Sequence, residues 1–247
     1  LQYSIGAFYM DQKDKITLFL PSLNDGGAER VFLNLASDFL ARGYKVDLLV
    51  YQKFGPYEVP AGVNLISLQS RSPWISLGKL LHYIRTKKPP HILSALPEAN
   101  LLNIAARLWS GKRYRCLISE HTILSANWQV KKTAFWHNIK HLLIRIFYRF
   151  ADGIIVVSKA ADLDMQTYCG VKPAVIYNPV YHAGIAEQAQ SDPLHEWLPA
   201  ARNNNVILSV GRLIPEKDHS TLLKAFALLR QSRDLKLILL GEGRCRD

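Results

Sequence analysis

Residues 206–218, Val206-Ile207-Leu208-Ser209-Val210-Gly211-Arg212-Leu213-Ile214-Pro215-Glu216-Lys217-Asp218, read as an apolar strand, a glycine turn and the approach to a helix. The turn offers Arg212 beside its glycine and Lys217 just before the next apolar stripe. Backbone N–H groups and the positive end of a helix favour an anion at such a turn; arginine adds a planar fork of donors and lysine a compact charge. The arrangement suits a diphosphate. The competing reading is a surface ion pair of Arg212 and Lys217 with Glu216 and Asp218, worth about 0–1 kcal/mol. The spacing G-R-x-x-x-E-K at a strand-to-helix turn is the more specific signal, so Gly211, Arg212 and Lys217 are expected to bind a diphosphate.

Outward from that turn, a helix is expected over Asp218 to Gln231, with Leu222, Leu223, Phe226 and Leu229 apolar, followed by a strand over Leu235 to Leu240. Upstream, apolar runs alternate with helical patterns, the signature of a parallel sheet covered on both faces. Strands are expected at Ile16 to Leu20, Val46 to Val50, Val63 to Ile66, His91 to Ser94, Arg115 to Ser119, Ile154 to Val157 and Ala174 to Tyr177. Helices are expected at Ala28 to Arg42, around Leu77 to Ile84, and at Glu98 to Trp109, Lys131 to Phe150 and Lys159 to Tyr168. Gly43 reads as a left-handed helix stop.

This predicts an α/β protein: a tail over residues 1–14, an open parallel Rossmann-like domain over 15–178, a linker over 179–205 with one helical possibility at Pro193 to Ala201, and a second Rossmann-like unit over 206–247. About forty residues cannot bury a core of their own. The last unit is therefore expected to be the opening part of a larger domain, or to pack onto the first.

Three further stretches can carry chemistry. Gly26-Gly27-Ala28-Glu29-Arg30 follows the first strand, where open parallel sheets bind ligands; paired glycines permit close backbone approach and positive φ. An ordinary strand-to-helix turn remains the alternative, and no G-x-G-x-x-G dinucleotide fingerprint is present. Ser119-Glu120-His121 closes a strand at the same edge, where His121 can exchange a proton or hydrogen-bond a sugar hydroxyl. The alternatives are a structural histidine and, for Glu120, a capping or salt-bridged carboxylate. Ser158 reads as a helix N-cap, and Asn178-Pro179 as a rigid hinge.

Composition bounds the rest. The chain has 247 residues, 49% of them apolar, enough for a sizeable core. Its formal charge of +11 points to anionic partners: nucleic acid, acidic lipid headgroups or phosphorylated substrates. Cys116, Cys169 and Cys245 lack metal-ligand spacing, so a reducing compartment and no metal are expected. No apolar run reaches the roughly 18 residues of a spanning helix. The expected location is cytoplasmic, free or peripheral on a membrane face. Residues 131–150 are basic, aromatic and free of acidic side chains, which fits either an anionic membrane surface or a core helix with a solvated basic edge.

The two glycine turns and the order of elements between them resemble the retaining nucleotide-sugar glycosyltransferases of the GT-B fold, the family-four (glycosyl transferases group 1) type, from about Lys15 onward. The resemblance implies a nucleotide diphosphate sugar as donor substrate with no other cofactor, a glycan or lipid-linked acceptor, retention of configuration and no metal. It implies that Gly26 and Gly27 border the donor phosphates and the acceptor, that a histidine at the position of His121 contacts the donor sugar, and that Asn178-Pro179 leads into the second domain. Two glutamates that help hold the donor in the family lie beyond Asp247, and Glu242 is not one of them by position. A chain truncated in its second domain, with little activity of its own, is therefore expected. A nucleic-acid- or anion-binding protein and a nucleotide-sugar epimerase of GT-B type stand as alternatives. No nucleic-acid-binding module is present in the sequence, and nucleic acid is not an expected partner.

Overall fold

A computed structural model describes residues 15–24, 26–70, 73–111, 114–126, 135–179, 183–191, 195–198 and 205–246. Two compact units divide at Val180 and Tyr181.

The first unit holds seven parallel strands in the order β3-β2-β1-β4-β5-β6-β7. These are β1 (Lys15–Leu20), β2 (Lys45–Val50), β3 (Asn64–Ser67), β4 (His91–Ala95), β5 (Arg115–Glu120), β6 (Gly153–Val156) and β7 (Ala174–Val175). Helices α1 (Gly27–Ala41), α2 (Pro73–Lys87), α3 (Pro97–Trp109), α4 (Phe135–Phe147) and α5 (Lys159–Cys169) connect them, with a 3-10 helix over Tyr148–Phe150 after α4.

Strand periodicity divides the core between the two faces of the sheet. Leu18 and Leu20 of β1 join Leu48 and Val50 of β2 in one cluster with Phe32 and Leu33 of α1. Phe19 and Leu49, pointing the other way, join Leu80 and Ile84 of α2 in the second. Asp47 lies buried in β2 because its carboxylate is fully used: Lys15 pairs with it at 2.5 Å, Tyr83 donates at 2.6 Å and Asn64 at 2.9 Å. The strand order reverses between β1 and β4, so the loops after their carboxyl ends flank a topological switch point. Leu96, in the second of those loops, holds φ 72° and ψ 144° ahead of Pro97, a conformation that costs a non-glycine residue about 1–3 kcal/mol.

Local signals terminate the helices as the sequence predicts. Ser158 Oγ accepts from the Ala161 N–H at 3.1 Å, and Gly43 has φ 85° beyond α1. Three expectations are corrected. β7 ends at Val175, two residues short of Tyr177. A six-residue helix, α6 (Ala183–Gln188), occupies part of the stretch read as linker. Residues 195–198 form a turn, and the remainder of the expected Pro193 to Ala201 helix lies outside the described residues, as do the 1–14 tail and residues 131–134 of the basic segment.

The second unit contains α6 and a parallel pair, β8 (Val206–Val210) and β9 (Lys236–Leu240), connected through a 3-10 helix (Pro215–Lys217) and α7 (His219–Leu229). Among its described residues none is fully buried, and Leu208, Val210 and Leu240 are more than half exposed.

Candidate functional site

In the first unit the loop after β1 is held from below by the loop after β2. Leu23 N–H donates to Phe54 O at 2.8 Å and Tyr51 N–H to Pro21 O at 3.1 Å. Gly55, at φ 127°, passes so close that a Cβ would stand 1.9 Å from Leu23 O, so both its dihedral and its contact require glycine. Tyr57 stacks under the Arg30 guanidinium at 4.8 Å, and its hydroxyl donates to Gly26 O at 3.5 Å.

The paired glycines have different reasons to be glycine. Neither uses the positive φ that the sequence permits: Gly26 is extended at φ −84°, and Gly27 is the first helical residue. A Cβ on Gly26 would meet the buried Glu29 carboxylate at 2.2 Å, so a side chain there requires that carboxylate to move. Among the described residues nothing lies within 4 Å of the Gly27 Cβ position. No contact among them requires its smallness.

His121 follows β5. Its Nε2 lies 3.1 Å from Ser119 Oγ, its ring meets Phe32 of α1 edge to face at 6.2 Å, and its Nδ1 is buried without a hydrogen-bond partner among the described residues. Burial lowers the imidazole to about 4, so the ring is neutral near pH 7. A neutral ring there donates or accepts a hydrogen bond without carrying charge, and its tautomer sets whether Nε2 donates to Ser119 Oγ or accepts from it.

Glu120 points inward and is wholly buried. Its Oε1 accepts from the backbone N–H of His121 (3.1 Å) and Thr122 (3.3 Å) and from Thr122 Oγ1 (2.8 Å), while Oε2 accepts from Tyr148 at 3.0 Å. Burial pushes its carboxyl upward, against the downward pull of these hydrogen bonds. This is the capping carboxylate of the sequence reading, without a salt bridge among the described residues. Asn178 is half-buried near the end of the first unit, and Pro179 beside it is exposed.

In the second unit, β8 delivers Gly211 and Arg212 to the carboxyl edge of the pair. Gly211 N–H donates to Leu240 O at 3.0 Å and Leu213 N–H to Glu242 O at 2.9 Å, tying this turn to the one after β9. The tie needs glycine: Cβ atoms on Gly241 and Gly243 would stand 2.0 Å from Gly211 O and 2.3 Å from Leu213 O. The Lys217 stem crosses Gly211, with Cδ and Cε 3.8 Å from its Cβ position, so Lys217 and Arg212 share one turn although five residues separate them. Asp218, left-handed at φ 47°, caps α7 through the Thr221 N–H at 3.3 Å, and hydrogen bonds from the Thr221 side chain and then its backbone lower its carboxyl. Among the described side chains, which do not include that of Glu216, neither Arg212 nor Lys217 enters an ion pair, and both are exposed.

The structure adds residues that the sequence reading passed over. His219 Nε2 lies 3.1 Å from Arg212 O and braces the turn. Asn100 and Asn103, one turn apart in α3, are buried beneath the β5 edge. An Asn-x-x-Asn pair set among Ala99, Leu101, Leu102 and Ile104 was the available signal.

Residues 25–183 match Glycosyltransferase Family 4, and residues 191–247 match Glycosyl transferases group 1. The N-acetylgalactosamine-N,N'-diacetylbacillosaminyl-diphospho-undecaprenol 4-alpha-N-acetylgalactosaminyltransferase of Campylobacter jejuni is 30% identical, the alignment covering 94% of this chain and 64% of that protein. A second Campylobacter jejuni enzyme, a GalNAc-alpha-(1->4)-GalNAc-alpha-(1->3)-diNAcBac-PP-undecaprenol alpha-1,4-N-acetyl-D-galactosaminyltransferase, is 24% identical over 94% of this chain and 62% of its own length. The chain thus spans less than two thirds of these relatives. Sucrose-phosphate synthase from Thermosynechococcus elongatus superposes with a TM-score of 0.66 at 18% identity, covering 92% of this chain and 62% of that one. The Anabaena HepE protein, solved with UDP and glucose, superposes at 0.63 with 20% identity, covering 92% and 61%. These superpositions establish the GT-B fold. By its match over residues 25–183, the chain belongs to Glycosyltransferase Family 4.

Proposed function

We propose that this chain forms part of a glycosyltransferase that moves a sugar from a nucleotide diphosphate donor to a lipid-linked or other glycan acceptor. The observation that carries the reading is the Gly211 turn, where the folded-back Lys217 crosses the glycine beside Arg212 and brings two exposed cations together. When the nucleoside diphosphate leaves, negative charge grows on its phosphate oxygens while the sugar becomes oxocarbenium-like, so fixed cations at the leaving group lower the barrier. Arg212 contributes a planar fork and Lys217 a point charge. Gly27 leaves space for a phosphate at the first turn of α1, and neutral His121 offers its orphaned Nδ1 to a sugar hydroxyl. The proposed outcome at the anomeric carbon is retention, following the family resemblance.

The relatives' names supply the acceptor class. Both Campylobacter enzymes are named for N-acetylgalactosaminyl transfer to undecaprenol-diphosphate-linked sugars. A UDP-linked N-acetylhexosamine and an undecaprenol-diphosphate acceptor are therefore the first pair to test here. Association with the membrane carrying such an acceptor is assigned to α4. Its exposed apolar side chains Phe135, Leu142 and Ile146 form a stripe continued by Phe150, with Lys140, Arg145 and Arg149 nearby. Among the described residues no helix is long and apolar enough to cross a membrane.

Titration calorimetry of the full-length protein with UDP and UDP-N-acetylgalactosamine tests the reading. Arg212→Ala and Lys217→Ala each remove a charge-assisted contact worth about 1.5–3 kcal/mol, so each is expected to weaken binding roughly tenfold to hundredfold. Unchanged affinity in both variants overturns the assignment.

A further inference from the structure

Beneath His121 runs a chain of buried hydrogen bonds whose donors point one way. Asn103 Nδ2 donates to Ser94 Oγ at 3.0 Å, and Ser94 Oγ donates to Asn100 Oδ1 at 2.8 Å. Asn100 Nδ2 donates to the Tyr148 hydroxyl at 3.3 Å and to Ser119 O at 3.0 Å, and Tyr148 donates to Glu120 Oε2 at 3.0 Å. Asn103, Ser94, Asn100, Tyr148 and Glu120 are each fully buried. The chain ends where Glu120 Oε1 gathers the His121 N–H, the Thr122 N–H and the Thr122 hydroxyl.

A fully buried carboxylate is costly unless its hydrogen bonds are made, and no cation pairs with this one among the described residues. A helix-capping serine or threonine satisfies a turn at lower cost. The anion therefore does more than cap a turn. It fixes two successive N–H groups at the end of β5, the residues from which the His121 ring projects. Tyr148 in turn fixes the carboxylate. Its hydroxyl is the one donor to Oε2 among the described residues, so this hydrogen bond restrains rotation of the Glu120 carboxylate.

The geometry points to Tyr148 as a positioning residue that acts through Glu120 to orient His121 toward the donor sugar. This rests on the glycosyltransferase reading of the site. Tyr148→Phe retains the ring and its packing and removes one hydroxyl. Thr122→Val, at an exposed residue, removes a hydroxyl from the other end of the same carboxylate.

The first test needs no turnover. In proton–nitrogen correlation spectra of the histidine imidazoles in full-length protein, both variants are expected to shift the His121 ring signals, assigned by His121→Ala, and to leave the His195 signals in place. Unmoved His121 signals in both variants overturn the inference whether or not the protein transfers sugar. The second test is a double-mutant cycle on turnover of UDP-N-acetylgalactosamine. Tyr148→Phe is expected to lower kcat about tenfold with donor KM within twofold, and to cause no further loss in a His121→Ala background. An equal loss in both backgrounds means that Tyr148 acts by another route and sinks the proposal. Absence of wild-type turnover with every nucleotide sugar counts instead against the glycosyltransferase reading, with the imidazole spectra still deciding the role of Tyr148.

Discussion

Gly27 and Gly26 are neighbours of identical chemistry that the structure treats oppositely. A methyl group on Gly27 meets open space, and glycine to alanine in a helical conformation stabilises by about 0.4–1 kcal/mol through the unfolded chain. Gly27→Ala is therefore expected to melt at or above the wild-type temperature while its affinity for UDP-N-acetylgalactosamine falls. A variant that is more stable and binds equally well removes Gly27 from the site. At His121 the argument concerns pH. Its folded pKa of about 4 lies below the ordinary 6.5, so between those values the unfolded chain binds the proton and the native state does not. The resulting stability is fully present above about 6.5 and is lost as pH falls toward about 4. Denaturant titrations across that window should show a steeper loss for wild type than for His121→Gln, and parallel curves would refute the buried neutral ring. The candidates were legible at single residues: Gly211, Arg212, Lys217, Gly26, Gly27 and His121 stand out by type and by their place at strand ends. Glu120 was legible as a capping or salt-bridged carboxylate but its complete burial was not, because whether a carboxylate points into a core or into water depends on what lies beneath it. Here that is Tyr148, 28 residues away in sequence.

At the scale of elements, the end of the sheet opposite the site is clasped by α3. Arg107 near the end of that helix makes two 2.7 Å hydrogen bonds to Asp152, and the same carboxylate accepts the Cys116 N–H at 2.8 Å. The Arg107 hydrogen bond, together with that from Cys116, holds the Asp152 carboxyl below its usual range despite partial burial. Arg107→Ala leaves Asp152 without its fork, and a loss of about 2 kcal/mol is expected in denaturant midpoints, with UDP affinity unchanged. A changed affinity would mean that the two ends of the sheet are coupled. The basic helix α4 divides its faces differently. His141, Ile144 and Tyr148, at spacings of three and four residues, turn inward, while Leu142, Ile146 and Phe150 face out. Its cations also have partners within the protein: Lys140 pairs with Glu98 at 3.0 Å and Arg145 reaches Tyr168 O at 3.1 Å. The exposed stripe is thus the stronger component, and Leu142→Ser with Ile146→Ser is expected to reduce vesicle binding more than added salt does. Vesicle binding unaffected by the double substitution removes α4 from the membrane. Strands and helices of the first unit were legible because two-residue and 3.6-residue periods rarely coincide in apolar runs this long. The β7 end and α6 were not, because a two-residue strand and a six-residue helix carry too few positions to establish a period.

For the molecule as a whole, the two apolar clusters of the core lie within the first unit, one on each face of its sheet. The second unit has a two-stranded sheet with α7 beside it, and none of its described residues is fully buried. The sequence already implied this contrast. Seven apolar runs allow a sheet with both faces covered, whereas two runs and one helix leave Leu208, Val210 and Leu240 facing outward, each more than half exposed. Isolated two-stranded units are marginal in water because the apolar area they remove from solvent does not offset the chain entropy of ordering them. The units should therefore differ in autonomy. A polypeptide of residues 15–180 is expected to unfold in one cooperative transition, followed by circular dichroism and by tryptophan fluorescence with coincident midpoints. Residues 181–247 alone are expected to show no cooperative transition and to be cleaved rapidly by protease, because their strands lack a covered face. If instead residues 181–247 melt cooperatively as a monomer, the Gly211 turn rests on a self-sufficient fold. Arg212 and Lys217 could then be studied apart from the first unit altogether.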